Sequence, residues 1–138
     1  MNGHSYNNIE VLIMKRDFLP KEEVISKMRD MLAIASDMTR LKIMLSLLDE
    51  SKCECEKNDG HTNCGYCKHR TCMIEKCVSE IMVDINASQS LVSHQLKVLK
   101  DFGLVQTRRE RTKIYYSLKD GHVKQLISVA LEHAEEDD

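Results

Sequence analysis

From Pro20 onward, apolar residues recur every three or four positions, lapse for a long stretch, return at helical spacing, alternate briefly and end in one more helical stripe. "KEEVISKMRDMLAIAS" places Val24, Met28, Met31, Leu32 and Ala35 on one helical face, and Pro20 suits the helix start. Asp37 predicts the N-cap of a second helix, "MTRLKIMLSLLDE", with Leu41, Met44, Leu45 and Leu48 turned inward. Then the pattern breaks. "SKCECEKNDGHTNCGYCKHRTCMIEKC" holds all six cysteines, two of the five glycines and little aliphatic material, the composition of a long inserted loop. Helical spacing resumes at Val78, Ile81, Met82 and Ile85. "NAS" is a turn, Ser88 the next N-cap, and Leu91, Val92, Leu96 and Leu99 stripe a helix that Gly103 ends. "LVQTRRERTKIYYSL" alternates as a two-stranded hairpin with "RRERT" at its tip. "KDGHVKQLISVALEHAEE" closes the chain as a helix, with Val123, Leu126, Ile127, Ala130, Leu131 and Ala134 at helical spacing.

These elements predict a mainly α protein with one small β-hairpin (α+β). Residues 1–19 form an N-terminal arm and 20–138 a single domain carrying the cysteine-rich insert at about 51–76. The length, 138 residues, fits one domain. With no Trp and two Phe, aliphatic residues and eight Met must fill the core, which favours helices. The apolar run "VLIM" is too short for a secretory signal, and Lys15, Arg16 and Asp17 follow it. No apolar run approaches the roughly 18 residues of a membrane span. The expectation is a cytoplasmic protein with no membrane partner, its cysteines reduced unless they bind metal.

The net charge of −2 announces no nucleic-acid partner, but its distribution does. Between Ser88 and Lys113 six basic residues face two acidic ones, whereas five acidic residues and no Lys or Arg lie between Glu132 and Asp138. Two helices joined by a short turn, the second polar on its outer face, form the helix-turn-helix pattern, whose second helix enters the major groove of double-stranded DNA. That helix offers Gln89, Ser90, Ser93, His94 and Gln95, with Lys97 and Lys100 further along. Gln bonds adenine bidentately, and Ser or His reaches base edges or phosphates. The hairpin adds Arg108, Arg109, Arg111 and Lys113, cations that gain affinity by releasing counterions from the phosphate backbone.

From about Leu32 to Glu136 the chain resembles the ArsR/SmtB family of metal-sensing transcriptional repressors. The resemblance is carried by "LAIASDMTRLKIMLSLL", by "CVSEIMVDINASQSLVSHQLKVLKDFGLVQTRRERTKIYYSL" and by the closing helix, and "SHQLKVLKDFGLV" is its most specific part. It implies a winged helix-turn-helix, a homodimer formed by the first and last helices, and an operator blocked until metal binds. Two departures stand out. Members usually join the second and third helices by a short connection rather than a cysteine-rich insert. A glycine is common at the wing tip, where this chain has Glu110 and Arg111.

His122 and His133 lie eleven residues apart, about 16 Å along a helix axis, so they share a face and cannot share an ion. A second copy set antiparallel across a two-fold axis brings Asp120 and His122 of one chain to His133 and Glu136 of the other. The two ends of the helix pair then each gather two nitrogens and two carboxylate oxygens, a tetrahedral set for zinc. The spacing is the D-x-H-x10-H-x2-E arrangement of the family's zinc-sensing branch, which implies two intersubunit zinc sites per dimer. It also implies a hydrogen bond from His133 toward the backbone near Gly103. Nitrogen and oxygen donors suit zinc, cobalt or nickel rather than arsenite or lead.

Cys53, Cys55, Cys64, Cys67, Cys72 and Cys77 form a candidate second site for zinc or a softer metal, and spacing does not choose among their four-ligand subsets. Cys77 matches the third-helix cysteine of soft-metal sensors, although Ser79 stands where these often carry a second cysteine. Two other functions compete with zinc-driven release: a repressor sensing cadmium, lead, arsenic or thiol oxidation through these cysteines, and, more remotely, a zinc enzyme. The enzyme reading is weak. The chain has neither H-E-x2-H nor a P-C-x2-C, its one proline being Pro20. Sites filled by four protein ligands also leave no open position for water. The expectation is therefore no enzyme and no small-molecule substrate.

Overall fold

The computed structural model describes residues 19–48 and 74–136. Apart from Leu19, the expected N-terminal arm lies outside the described residues, and so does the insert up to residue 73. The described residues fall into two units, one ending at Leu32 and the other beginning at Ala33.

Helix α1 (Glu22–Ala35) begins with Glu22 and Glu23, whose carboxylates complement the positive end of the helix dipole. Of the apolar face expected from its periodicity, Ala35 is buried and Met31 half-buried, whereas the rest is uncovered. Val24, Met28 and Leu32 are 45%, 49% and 46% exposed.

The second unit opens with α2 (Met38–Ser46), where an Asp37 carboxylate oxygen accepts from Arg40 N at 3.1 Å. Its buried side is Ile43 and Met44, continued by Leu47 and Leu48, whereas Leu41 and Leu45 are half-buried. The inward face is thus rotated from the expected Leu41/Met44/Leu45/Leu48 set, because apolar residues surround this helix and periodicity alone does not choose a side. Helix α3 (Val78–Ile85) ends at Asn86, in the left-handed region at φ 52. A short turn leads to Ser88, whose hydroxyl accepts from Leu91 N at 3.3 Å to cap α4 (Gln89–Asp101).

At the far end of α4, Gly103 N donates to Lys100 O (3.0 Å) and Leu104 N to Leu99 O (2.9 Å), the paired bonds of a Schellman stop. Gly103 has φ +72, and a Cβ there would meet nothing within 4 Å. The glycine therefore answers a backbone dihedral and not a shortage of space. Val92, Leu96 and Leu99 are completely buried, packed in a core with Ile43, Met44 and Ile81.

Strands β1 (Val105–Glu110) and β2 (Lys113–Leu118) pair antiparallel, from Val105↔Leu118 to Glu110↔Lys113. The connection is Arg111–Thr112, tighter than the expected "RRERT" tip, and Arg108 and Arg109 belong to β1. Arg111 carries the left-handed φ of 57 that such a two-residue connection demands. Lys76, which composition groups with the insert, belongs to the fold. Its N donates to Tyr116 O (2.8–2.9 Å both ways, with Tyr116 N to Lys76 O), adding one bridge beside β2. Its buried ammonium donates to Ser46 O at 2.8 Å and to the Asp84 carboxylate, which also accepts from Ser46 Oγ at 2.7 Å. Lys76 thus joins the ends of α2 and α3 at the foot of the insert.

Helix α5 (Gly121–Glu135) buries Val123 and Ile127 in its first half and leaves Leu126, Val129 and Leu131 exposed. Together α3, α4 and the hairpin make a winged helix-turn-helix. Among the described residues no helix is long and apolar enough to cross a membrane.

Candidate nucleic-acid interface and metal ligands

The first turns of α4 hold Gln89, Ser90, Ser93 and His94, all exposed, with Lys97 and Lys100 exposed further along. They are free to face a ligand because the opposite side of the helix is consumed by the core. Lys97 reaches back to Asp101 at 3.3 Å, an i, i+4 pair in solvent. Gln95 differs: it is half-buried, and its side-chain oxygen accepts from Arg40 Nη1 of α2 at 2.8 Å. Sequence reasoning missed Arg40, since no periodicity links residues 55 positions apart.

On the wing, Arg108 Nε donates to Glu75 Oε2 at 2.7 Å and Nη1 to Glu110 Oε2 at 3.0 Å. The guanidinium also lies 5.0 Å from the ring centroid of Tyr115, its cross-strand partner. Hydrogen bonding to Glu75, and then to Glu110, pushes the Arg108 pKa up. Arg109 donates from Nε to Arg111 O at 3.4 Å, and Arg109, Arg111 and Lys113 are exposed around the turn. The recognition helix and a cationic wing are thus two elements of one fold, connected through Gly103, Leu104 and the start of β1.

The metal candidates form two separate pairs on α5. Asp120 is its N-cap, with Oδ1 accepting from Val123 N at 3.0 Å and standing 3.8 Å from His122 Nδ1. One turn from the other end, His133 Nδ1 stands 3.9 Å from Glu136 Oε2. Both imidazoles are largely open to solvent, at 80% and 84% exposed. Among the described residues of one protomer no three His, Cys, Asp or Glu side chains converge as a metal site. Each pair offers one imidazole and one carboxylate, donors that fit zinc chemically, and Asp120's cap bond leaves its carboxylate further lone pairs.

Of the cysteines, only Cys77 falls within the described residues. It precedes α3 as its N-cap, half-buried, with its thiol 3.1 Å from Ser79 Oγ and 3.2 Å from Glu80 Oε1. Glu80 in turn accepts from Cys77 N at 3.3 Å, as the third residue of a capping box does. Cys53, Cys55, Cys64, Cys67 and Cys72 lie outside the described residues.

Residues 74–107, from the foot of the insert through the recognition helix into β1, match the family described as "Bacterial regulatory protein, arsR family". Over these residues the chain is similar to the helix-turn-helix of that family. It is 42% identical over 62 residues to a cadmium resistance transcriptional regulatory protein CadC homolog of Staphylococcus aureus, covering 45% of this chain and 51% of that one. It is 41% identical over 64 residues to a transcriptional repressor SmtB homolog of Synechocystis, covering 46% and 48%. The chain thus matches about half the length of these curated relatives. Their names are those of transcriptional regulators and not of enzymes, in agreement with the sequence. The fold is also that of a homodimeric winged helix-turn-helix DNA-binding domain from Mycobacterium bovis, with a TM-score of 0.62 at 20% identity over 85% of this chain and 89% of that one.

Proposed function

We propose that this protein is a metal-responsive transcriptional repressor whose metal-free homodimer binds operator DNA and is released by zinc. The zinc is held between subunits by Asp120 and His122 of one chain and His133 and Glu136 of the other. The observation that carries this reading is α5 itself. It presents one carboxylate–imidazole pair at each end, 3.8 and 3.9 Å across, each pair supplying half of a four-donor set. The exposed apolar residues between them, Leu126, Val129 and Leu131, suit burial against a second copy that would complete both sets. The regulators named among the relatives, and the homodimer named for the Mycobacterium bovis domain, support the same reading.

DNA engagement falls to Gln89, Ser90, Ser93, His94 and Gln95 in the groove, with Lys97, Arg108, Arg109, Arg111 and Lys113 toward phosphates. Zinc supplies a fixed coordination geometry across the two-fold axis. Release then follows from its higher affinity for the dimer conformation that fits DNA poorly, since a ligand shifts an equilibrium only through differential affinity. A hydrogen bond formed by His133 toward the backbone near Gly103, at the stop of the recognition helix, would be the route between metal and DNA face.

The test is a zinc titration of the full-length dimer bound to operator DNA, repeated on a deletion of Cys53 to Cys72. Saturating zinc should weaken DNA binding by about 5- to 150-fold in both, the usual range for allosteric coupling. Loss of the response in the deletion, with DNA binding intact, would move sensing to the cysteines and favour a soft-metal or thiol sensor.

A further inference from the structure

The two backbone bonds between Lys76 and Tyr116 fix the chain beside β2 one residue after Glu75. Lys76 turns its side chain inward, and Glu75 keeps its own at the surface against the wing. There Glu75 Oε2 accepts from Arg108 Nε at 2.7 Å, while Glu110 Oε2 accepts from Arg108 Nη1 at 3.0 Å. Strand alternation sets Glu110, two residues on, on the same face as Arg108. Tyr115, the cross-strand partner, brings its ring to 5.0 Å from the guanidinium. One cation is thus held by two carboxylates and an aromatic ring.

The two carboxylates are not equivalent. Between Val105 and Leu118 the hairpin holds four cations, Arg108, Arg109, Arg111 and Lys113, and one carboxylate, Glu110, which stands opposite Lys113 in the register. The hairpin's own cations therefore answer Glu110. Glu75 comes from outside the hairpin, 33 positions before Arg108. A guanidinium has five N–H donors, so these two bonds leave others for a ligand, and the effect of Glu75 is one of charge. Any phosphate that approaches Arg108 also approaches a carboxylate already bonded to it. Affinity for DNA rises by counterion release as cations neutralise phosphates, and a cation neutralised within the protein contributes less. Resting on the DNA-binding reading above, we propose that Glu75 is a built-in competitor of DNA phosphates for Arg108, which lowers the affinity of the wing for every duplex.

The experiment measures binding of the full-length metal-free protein to two labelled duplexes of equal length and unrelated sequence across a salt series. It compares wild type, Glu75→Gln, Arg108→Met and the double variant. Glu75→Gln keeps the size of the side chain and removes its charge. It should tighten both duplexes alike, and the gain should grow about threefold as salt falls from about 200 to about 50 mM, the mark of one added phosphate contact. At the low-salt end, Arg108→Met should cost at least about threefold more affinity in the Glu75→Gln background than in wild type. The four affinities close a double-mutant cycle, which separates this coupling from the general effect of removing one negative charge. The proposal is overturned if Glu75→Gln binds as wild type does or more weakly, Glu75 then holding Arg108 in place for DNA. It is equally overturned if Glu75→Gln gains as much in the Arg108→Met background, which bulk charge alone explains. Absence of salt-dependent binding by both wild type and Glu75→Gln would overturn the DNA-binding reading itself, and this proposal with it. Both side chains are at the surface, so the variants should unfold thermally with wild type, and a shifted midpoint with unchanged DNA affinity would make the pair merely structural.

Discussion

Helices α4 and α5 are similar in length and both amphipathic, yet they end in opposite conditions. The apolar stripe of α4 is used up inside the protomer: Val92, Leu96 and Leu99 are wholly buried, its start is capped by Ser88 and its end is stopped at Gly103. Only polar and charged groups, together with the 40%-exposed Leu91, are left for the outside. The stripe of α5 is used for half its length. Past Ile127 it carries Val129 and Leu131 into solvent, flanked at each end by an imidazole and a carboxylate. A helix finished within one chain can present a rigid reading face, whereas one left unfinished invites a second chain. On the proposed reading, recognition and sensing fall to helices with different needs.

The largest expected effect separates the two directly. Leu96→Ala should cost about 2–5 kcal/mol of protomer stability by leaving a cavity in a sealed core. Leu131→Ala should leave protomer stability within about 0.5 kcal/mol of wild type and weaken dimerisation by about tenfold, as expected for lost apolar burial. Urea unfolding and sedimentation equilibrium read the two quantities. Equal effects of both changes on protomer stability would erase the distinction between the helices.

Next in size is Lys76. Replacing it with Met removes the donor shared by Ser46 O and Asp84, and should cost about 1–3 kcal/mol, since Asp84 keeps partial access to water. The loss should appear in unfolding of the α2–α3–wing unit and leave zinc stoichiometry unchanged. An unaltered midpoint would mean that the foot of the insert contributes nothing to the fold.

Much of the recognition half was legible because its signals are local. Asp37 and Ser88 cap helices as expected, and Gly103 stops α4 where an L-residue would be strained. What sequence could not supply was contact between distant positions. Nothing in the spacing of Arg40 and Gln95 announces their bond, and a lysine at the edge of a cysteine-rich stretch looks like loop material until Ser46 and Asp84 are brought to it. The inward side of α2 was ambiguous for a related reason, since Leu41, Ile43, Met44, Leu45, Leu47 and Leu48 offer apolar groups in nearly every direction. At the wing, Glu110 pairs across to Lys113 and confines the turn to Arg111 and Thr112, so a glycine's usual place is filled by an arginine in a left-handed conformation. The candidate ligand pairs on α5 were legible as a spacing, and the structure sets each pair's members within 4 Å.

The smallest predicted effects are a matched pair at Gly103, which ends α4, and Arg111, at the turn of the wing, two of the three described residues with left-handed φ. Gly103→Ala should cost about 1 kcal/mol through the dihedral alone, because a methyl group there meets open space. Arg111→Gly should move stability the other way by no more than about 1 kcal/mol, the relieved strain being partly offset by a more flexible unfolded chain. Thermal unfolding of the two variants checks both signs. A destabilising Arg111→Gly would mean that its side chain contributes more than its backbone strains.

The central claim is that the two halves of α5 complete each other across a two-fold axis, and subunit mixing tests it most directly. In a background lacking Cys53 to Cys72, one chain carries Asp120→Ala with His122→Ala and the other His133→Ala with Glu136→Ala. Alone, each variant should form dimers with no intact site and bind no zinc at α5. Mixed and re-equilibrated, the heterodimer keeps one whole site, because its unaltered Asp120–His122 pair meets its partner's unaltered His133–Glu136 pair. About one zinc per heterodimer is expected on the antiparallel geometry. Zinc binding by either variant alone, or none by the mixture when heterodimers are present, would contradict the account.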